Sequence, residues 1–152
     1  MADQKGQTLV EMIVIIGMVV LLATGIVAGT TVSLSRSKTS QVRSDALTFA
    51  QAGIELARKQ RDNGWDAFAA MGTSSNMYCV GSDGVFGQAQ TECSVPNINN
   101  TFTRSVTLQL IPIPAIPTME EMKVTSRVAW GDTTNPTNTN TVQLTTYLTQ
   151  WK

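Results

Sequence analysis

The sequence predicts an α+β fold in which a long N-terminal helix, half membrane-spanning and half amphipathic, packs on a small antiparallel β-sheet. Three observations carry this prediction. An apolar segment runs from Leu9 to Val32 and contains a single charged residue, Glu11. No proline occurs before Pro96, so no proline interrupts a helix that continues past this segment. After residue 101, three stretches alternate between apolar and polar residues, as strands with one buried face do.

The apolar segment is predicted to form a helix over residues 7–35. A helix needs roughly 20 apolar residues to span a bilayer, and this segment is long enough. A carboxylate within such a helix costs about 2.5–3.5 kcal/mol on insertion scales and usually has a partner. Glu11 therefore calls for a cation at the same depth.

The residues around Glu11 resemble a known processing signal. The heptapeptide KGQTLVE, residues 5–11, followed by an apolar helix, resembles the processing site of type IV pilins and pseudopilins. The resemblance implies that a membrane-embedded prepilin peptidase cuts between Gly6 and Gln7 and methylates the new N-terminus, which makes residues 1–6 a leader. It also implies that Glu11 pairs with the N-terminal amine of a neighbouring subunit. That amine, freed at Gln7, is a cation at a suitable depth.

This chain departs from the family pattern at two positions, and two other interpretations of the segment stay open. The family usually begins its mature chain with Phe or Met, where this chain has Gln7, and often carries a Pro where this chain has Ala28. A signal peptide cut after Ala28 is one alternative, although such peptides have apolar cores of only about 7–15 residues without an acid. A plain single-span anchor is the other.

The charges that flank the apolar segment favour the opposite orientation. Lys5 precedes the segment, whereas Arg36, Lys38 and Arg43 follow it. By the positive-inside rule the larger part of the chain would then lie in the cytoplasm. The resemblance implies the reverse, because pilin domains are exported.

Composition excludes several classes of function. The formal net charge is zero and no basic patch occurs, so nucleic acid is not an implied partner. The chain has no histidine, which excludes Ser-His-Asp catalysis, Cys-His catalysis and His metal sites. It has no phosphate-binding glycine motif. A Ser–Lys nucleophile pair is the catalytic alternative that composition leaves open, and no motif marks one. We expect no catalytic residues, no metal site and no cofactor, and hence a protein that is not an enzyme.

Cys79 and Cys93 are the only cysteines, and their spacing matches no metal motif. In an exported domain they are expected to form a disulfide. A loop of about 15 residues closed in this way stabilises the fold by roughly 3 kcal/mol in the chain-entropy model. Two free thiols in a cytoplasmic domain are the alternative.

An amphipathic helix is predicted over residues 36–64. It should end near Asp62, because Asn63 and Gly64 form a C-terminal cap signal and basic residues in the last turns complement the helix dipole. Its apolar residues recur at spacings of three and four and form one broad stripe, consisting of Val42, Ala46, Leu47, Phe49, Ala50, Gly53, Ile54, Leu56 and Ala57.

Residues 65–101 are predicted to be a polar loop that holds the disulfide, with short helical or strand pieces near 65–71 and 77–80. An antiparallel sheet follows over residues 102–152, with strands predicted at 102–110, 122–130 and 142–148. Pro112, Pro114 and Pro117 are expected to separate the first strand from the second. The polar stretch 131–141 is predicted as a solvated turn, because Asp132 is a single carboxylate among asparagines and calcium prefers more.

The resemblance implies a structural function. A pilin is inserted in the inner membrane, trimmed, and polymerised by the pilus assembly machinery into an extracellular homopolymer. The alternatives are a pseudopilin of a type II secretion or DNA-uptake system and a membrane-anchored binding domain that does not polymerise. Within the helix, Gly25 and Gly29 either mark a stretch that loosens in the filament or form a small-residue face for close helix packing.

Overall fold

The structure is a computed structural model that describes residues 4–113, 116–131 and 139–150. The chain divides into two compact units, Met1–Val42 and Arg43–Lys152. Helix α1, Gln4–Asn63, forms the described part of the first unit and begins the second. The second unit continues with a short helix and an antiparallel sheet, so the predicted α+β arrangement is confirmed.

Helix α1 ends where the sequence predicts. The Gly64 N–H donates to the carbonyl of Arg61 at 3.1 Å, which tightens the last turn. The Gly64 carbonyl then accepts from the Phe68 N–H at 3.2 Å and begins helix α2, Trp65–Gly72. One glycine thus joins the two helices, and the helical piece predicted at 65–71 is present.

The sheet has five antiparallel strands in the order β2-β1-β3-β4-β5. Strands β3 to β5 correspond to the three predicted strands, and β1 lies where a short piece was predicted near 77–80. Strand β2 has two residues and follows no sequence pattern. The bounds are β1 Asn76–Cys79, β2 Ala89–Gln90, β3 Phe102–Ile113, β4 Ile116–Gly131 and β5 Thr139–Thr149.

Pro112 lies within β3 and Pro117 within β4, whereas the sequence analysis expected them between the two strands. Strand β3 continues through Pro112, which pairs with Glu120, and the register shifts immediately afterwards. Strand β1 pairs with β3 only as far as Leu108. Beyond that point one side of β3 is an open edge, where a proline is tolerated because no ladder bond is required. Pro114 and the predicted turn at 132–138 lie outside the described residues.

The core of the second unit lies between the sheet and the part of α1 after Arg43. Gly53 is buried on this face of the helix, and an added Cβ there would lie 2.3 Å from Oγ of Ser126. Only a residue without a side chain allows the helix to approach β4 this closely. The buried apolar residues are Ala46, Ala50, Ile54, Ala57, Phe68, Tyr78, Val80, Ile98, Phe102, Val106, Leu108, Met122, Val124, Val128 and Leu148.

Helix α2 is fixed to the sheet at its C-terminal end. The Met71 carbonyl accepts hydrogen bonds from Nδ2 of Asn76 at 2.9 Å and from the hydroxyl of Tyr78 at 3.0 Å. A Cβ on Gly72 would lie 2.4 Å from Sδ of Met122. The end of α2 therefore packs directly on the sheet, and the residues after α1 form part of the core instead of a free loop.

Candidate functional site

The apolar segment of α1 exposes its side chains on every side. From Leu9 to Leu34 the large apolar residues are between 49% and 74% exposed, with Ile15 the least and Leu21 the most. Consecutive residues such as Ile13 and Val14 point in different directions around a helix. A helix that is apolar all round belongs in a protein core or in a membrane. This one is long and apolar enough to cross a membrane.

Glu11 lies on the exposed surface of this segment. Among the described residues, the ion pairs join Glu55 to Arg58 and Arg61 to Asp62, and none involves Glu11. No ion pair between side chains that the structure describes neutralises Glu11. Gly6 and Gln7, the predicted cleavage site, belong to the backbone of α1, and the side chain of Gln7 lies outside the described part.

Three threonines in the apolar segment donate hydroxyl hydrogen bonds to backbone carbonyls of the same helix. Thr24 Oγ1 donates to the carbonyls of Val20 and Leu21, each at 3.0 Å. The hydroxyls of Thr30 and Thr31 each donate at 2.9 Å to the carbonyl three residues earlier. An unpaired hydroxyl is costly in an apolar medium, and these bonds remove that cost. The threonines are thus compatible with a lipid-facing helix.

Gly25 and Gly29 lie one turn apart, on the same face of α1. A Cβ built on either glycine meets no other atom within 4 Å. Contacts within the described chain therefore do not explain why these positions lack side chains. Helix α1 is unbroken through this stretch, as expected for the form in a membrane, and loosening in a filament stays a prediction.

Cys79 and Cys93 form the predicted disulfide, with their Cα atoms 5.6 Å apart. The bond joins the end of β1 to the segment after β2 and closes a loop with a sequence separation of 14. Disulfides persist in oxidising compartments and are rare in the cytosol. The disulfide is therefore compatible with a second unit that lies in an oxidising compartment.

Arg104 is buried among backbone carbonyls, although the sequence analysis assigned it no role. The residue is 3% exposed, and its Nε donates to the Val80 carbonyl at 3.0 Å. Its two terminal nitrogens donate to the carbonyls of Phe49, at 3.3 Å, and Gly81. Burial lowers the pKa of Arg104, and the nearby Asp83 carboxylate opposes this shift. The guanidinium thus links α1, β3 and the residues after β1.

Asn97 completes this junction by bonding to the backbone of Arg104. Its Oδ1 accepts from the Arg104 N–H at 2.8 Å, and its Nδ2 donates to the Arg104 carbonyl at 2.9 Å. The side-chain amide thereby bonds to the backbone of Arg104 in the way that a residue of a neighbouring strand would. One signal in the sequence pointed to this site, because Arg104 occupies an apolar position in the alternation of β3.

A polar groove of about 460 Å³ lies on the other face of the sheet, beside the disulfide. Its walls include Cys93, Thr103, Ser105 and Arg127. Thr103 and Ser105 are buried although the alternation predicted exposure, because the disulfide loop partly covers this face. The groove brings together hydroxyls, one carboxylate and one guanidinium. Within the described part of the chain, no group of three metal-ligating side chains occurs.

No protein-family model, no curated protein and no solved structure matches this chain. The fold and the site nevertheless define a class of protein. An exposed apolar helix capable of crossing a membrane continues into an α+β unit that is held together by a disulfide and a buried arginine.

Proposed function

We propose that this chain is a pilin-type structural subunit. After insertion in the inner membrane, prepilin peptidase cuts it between Gly6 and Gln7, and the pilus assembly machinery polymerises it into an extracellular homopolymer. The observation that carries this proposal is the apolar segment of α1, which exposes all of its large side chains and bears one carboxylate, Glu11, without a partner in the described chain.

The exposed segment needs a covering. Contiguous apolar patches beyond a few hundred Å² are rare on soluble monomers and mark contact with a membrane or a protein. Lipid covers the segment before assembly, and copies of the same segment cover it in a filament. Because every side of the helix is apolar, neighbours can pack around it in all directions, as the core of a helical polymer requires.

Glu11 favours a polymerising subunit over a plain anchor. A simple anchor gains nothing from a carboxylate inside its apolar segment, where a charge costs about 2.5–3.5 kcal/mol at the bilayer centre and less towards either end. In a polymer, the amine of a neighbouring chain that begins at Gln7 neutralises this carboxylate. The uncompensated charge in the membrane then favours assembly over the isolated subunit.

Gly25, Gly29 and the three self-bonded threonines support the same proposal. Small residues at helix interfaces let two backbones approach closely, and α1 presents two glycines on one face with no occupant from its own chain. The disulfide supports export of the second unit, since such bonds persist outside the reducing cytosol. We propose no catalytic role for the chain.

The experiment that tests this function combines two measurements on the full chain, expressed in a host with a type IV pilus assembly system. Intact-mass analysis of the purified protein should find an N-terminus at Gln7 with a methylated amine. Electron microscopy of sheared surface material should find filaments that contain the chain. An N-terminus at Met1 or Gly29 would contradict the processing step, and a correctly processed chain without filaments would favour the membrane-anchored binding domain.

A further inference from the structure

The two edges of the sheet differ in kind. At one edge, β2 contains two residues, Ala89 and Gln90. At the other edge, β5 contains eleven, from Thr139 to Thr149. We infer that β5 is a docking surface for a second copy of this chain, and that two β5 strands pair antiparallel around a two-fold axis.

Strand β5 lacks the features by which proteins usually protect an edge. Natural edge strands are kept from pairing by short length, charged side chains, prolines or bulges. The eleven residues of β5 include no charge and no proline. They pair with β4 residue for residue, from Glu121 opposite Thr149 to Gly131 opposite Thr139, without a register shift. From Asn140 to Thr149 the outer side of β5 therefore offers a long and regular row of backbone donors and acceptors.

Space for an added strand exists beside this edge. An open groove of about 630 Å³ runs between α1 and β5. Thr48, Gln51 and Ala52 line it on the helix side, and Leu144 to Thr146 line it on the strand side. A sixth strand beside β5 would direct every second side chain into this groove. The charges at its rim already compensate each other, because Oε1 of Glu55 lies 2.6 Å from Nη1 of Arg58.

The length of the edge strands indicates which strand of a second copy would pair with β5. Head-to-tail pairing would join β5 to an open stretch elsewhere in the described sheet, but β2 provides two residues and β3 beyond Leu108 provides five, for a strand of eleven. Pairing of β5 with itself matches the full length. Centred on Leu144, it places Gln143 opposite Thr145 of the second copy and Thr141 opposite Tyr147. Aromatic and β-branched residues stabilise such cross-strand pairs, and no like charges face each other.

Two-fold pairing is distinct from polymerisation. An isologous interface uses the same patch on both partners and closes after two copies, whereas a filament needs a heterologous contact that repeats. Pairing through β5 therefore closes after two copies, and it does not depend on the proposed pilin function.

A charge-reversal experiment tests the pairing. Gln143 and Thr145 are exposed, so substitutions there leave the core intact. One double variant carries Gln143→Lys with Thr145→Lys, and the other carries Gln143→Glu with Thr145→Glu. The matched control is Gln90→Lys, on the opposite edge strand. Native mass spectrometry of the full chain in detergent micelles measures the dissociation constant of the dimer.

We expect the unmodified chain and the Gln90→Lys control to form dimers. Each double variant alone should weaken the dimer by about tenfold or more, because two like-charged pairs face each other across the interface. An equimolar mixture of the two double variants should form mixed dimers. A monomeric unmodified chain, a dimer unaffected by both double variants, or a mixture that stays monomeric would each overturn the proposal.

Discussion

Helix α1 contains two regions with the same secondary structure and opposite relations to their surroundings. Before Arg36 its large apolar side chains are exposed on all sides. After Arg43 one face is buried, and residues such as Glu55 and Arg58 occupy the other. The backbone hydrogen bonds are the same in both regions, so the difference lies only in which side chains the sequence places around the axis.

The two regions also use small residues in different ways. Gly53 lies against Ser126, which its missing side chain allows the helix to approach. Gly25 and Gly29 have no neighbour within 4 Å. The buried region is therefore complementary to a surface in its own chain, whereas no described atom lies against the apolar region at these two glycines. A helical glycine without a neighbour in its own chain can therefore indicate a contact with another molecule.

The largest effect is expected at Glu11. Glu11→Ala should leave insertion and processing intact but reduce filament yield by about a hundredfold or more, because an unpaired amine would remain buried in the filament core. The matched control is Glu55→Ala, a carboxylate on α1 outside the apolar segment, which should assemble normally. Quantifying sheared filaments against total membrane protein measures both. Normal filament yield from Glu11→Ala would show that assembly depends on the Glu11 carboxylate no more than on that of Glu55.

The next effect concerns how the second unit holds its helix. Arg104→Leu should lower the free energy of unfolding by about 3 kcal/mol, because the buried carbonyl of Val80 and the partly buried carbonyls of Phe49 and Gly81 lose their donors. Thermal unfolding of the full chain in detergent, followed by near-ultraviolet circular dichroism, measures it. Arg127→Leu, at an exposed arginine on the neighbouring strand, serves as the control and should change stability by less than about 0.5 kcal/mol.

A smaller effect is expected from adding one methyl group to each region. Gly53→Ala should destabilise the second unit by about 1–3 kcal/mol, because its Cβ would overlap Ser126 and Arg104. Gly17→Ala, in the apolar region, meets no atom within 4 Å and should leave unfolding of the second unit unchanged. Equal effects in the same unfolding assay would contradict the close approach at Gly53.

The smallest effect on stability is expected from Gly25→Ala combined with Gly29→Ala. Both sites are open, so the melting temperature of the second unit should stay the same. Assembly should distinguish the two roles considered for these glycines. Filaments that form normally but bend less under flow indicate that the glycines allow stretching, whereas poor filament yield indicates that they allow close helix packing.

The sequence predicted the architecture well where periodicity is strong. The end of α1 and strands β3 to β5 follow from patterns that act over a few residues, and the disulfide follows from two cysteines in a domain expected to be exported. The prolines misled the prediction of strand ends, because whether Pro112 is tolerated depends on how far β1 extends along β3. Such long-range pairing leaves no local signal.

The anchoring of the second unit was harder to predict for a similar reason. Arg104 occupies an apolar position in the alternation of β3, and only the positions of the Phe49, Val80 and Gly81 carbonyls in space explain its burial. The burial of Thr103 depends in turn on the disulfide loop that covers the second face of the sheet. The apolar segment could be predicted from composition alone, because its length and its predominantly apolar residues indicate a helix that can cross a membrane.

The self-bonded threonines of α1 have a consequence for how the helix partitions between environments. Thr24, Thr30 and Thr31 carry their hydrogen-bond partners within the helix. None of these hydroxyls has to exchange a partner when the helix moves from one apolar medium to another. The partition of the segment between apolar media then depends on its other side-chain contacts and on the charge of Glu11, and the three hydroxyls contribute little to it.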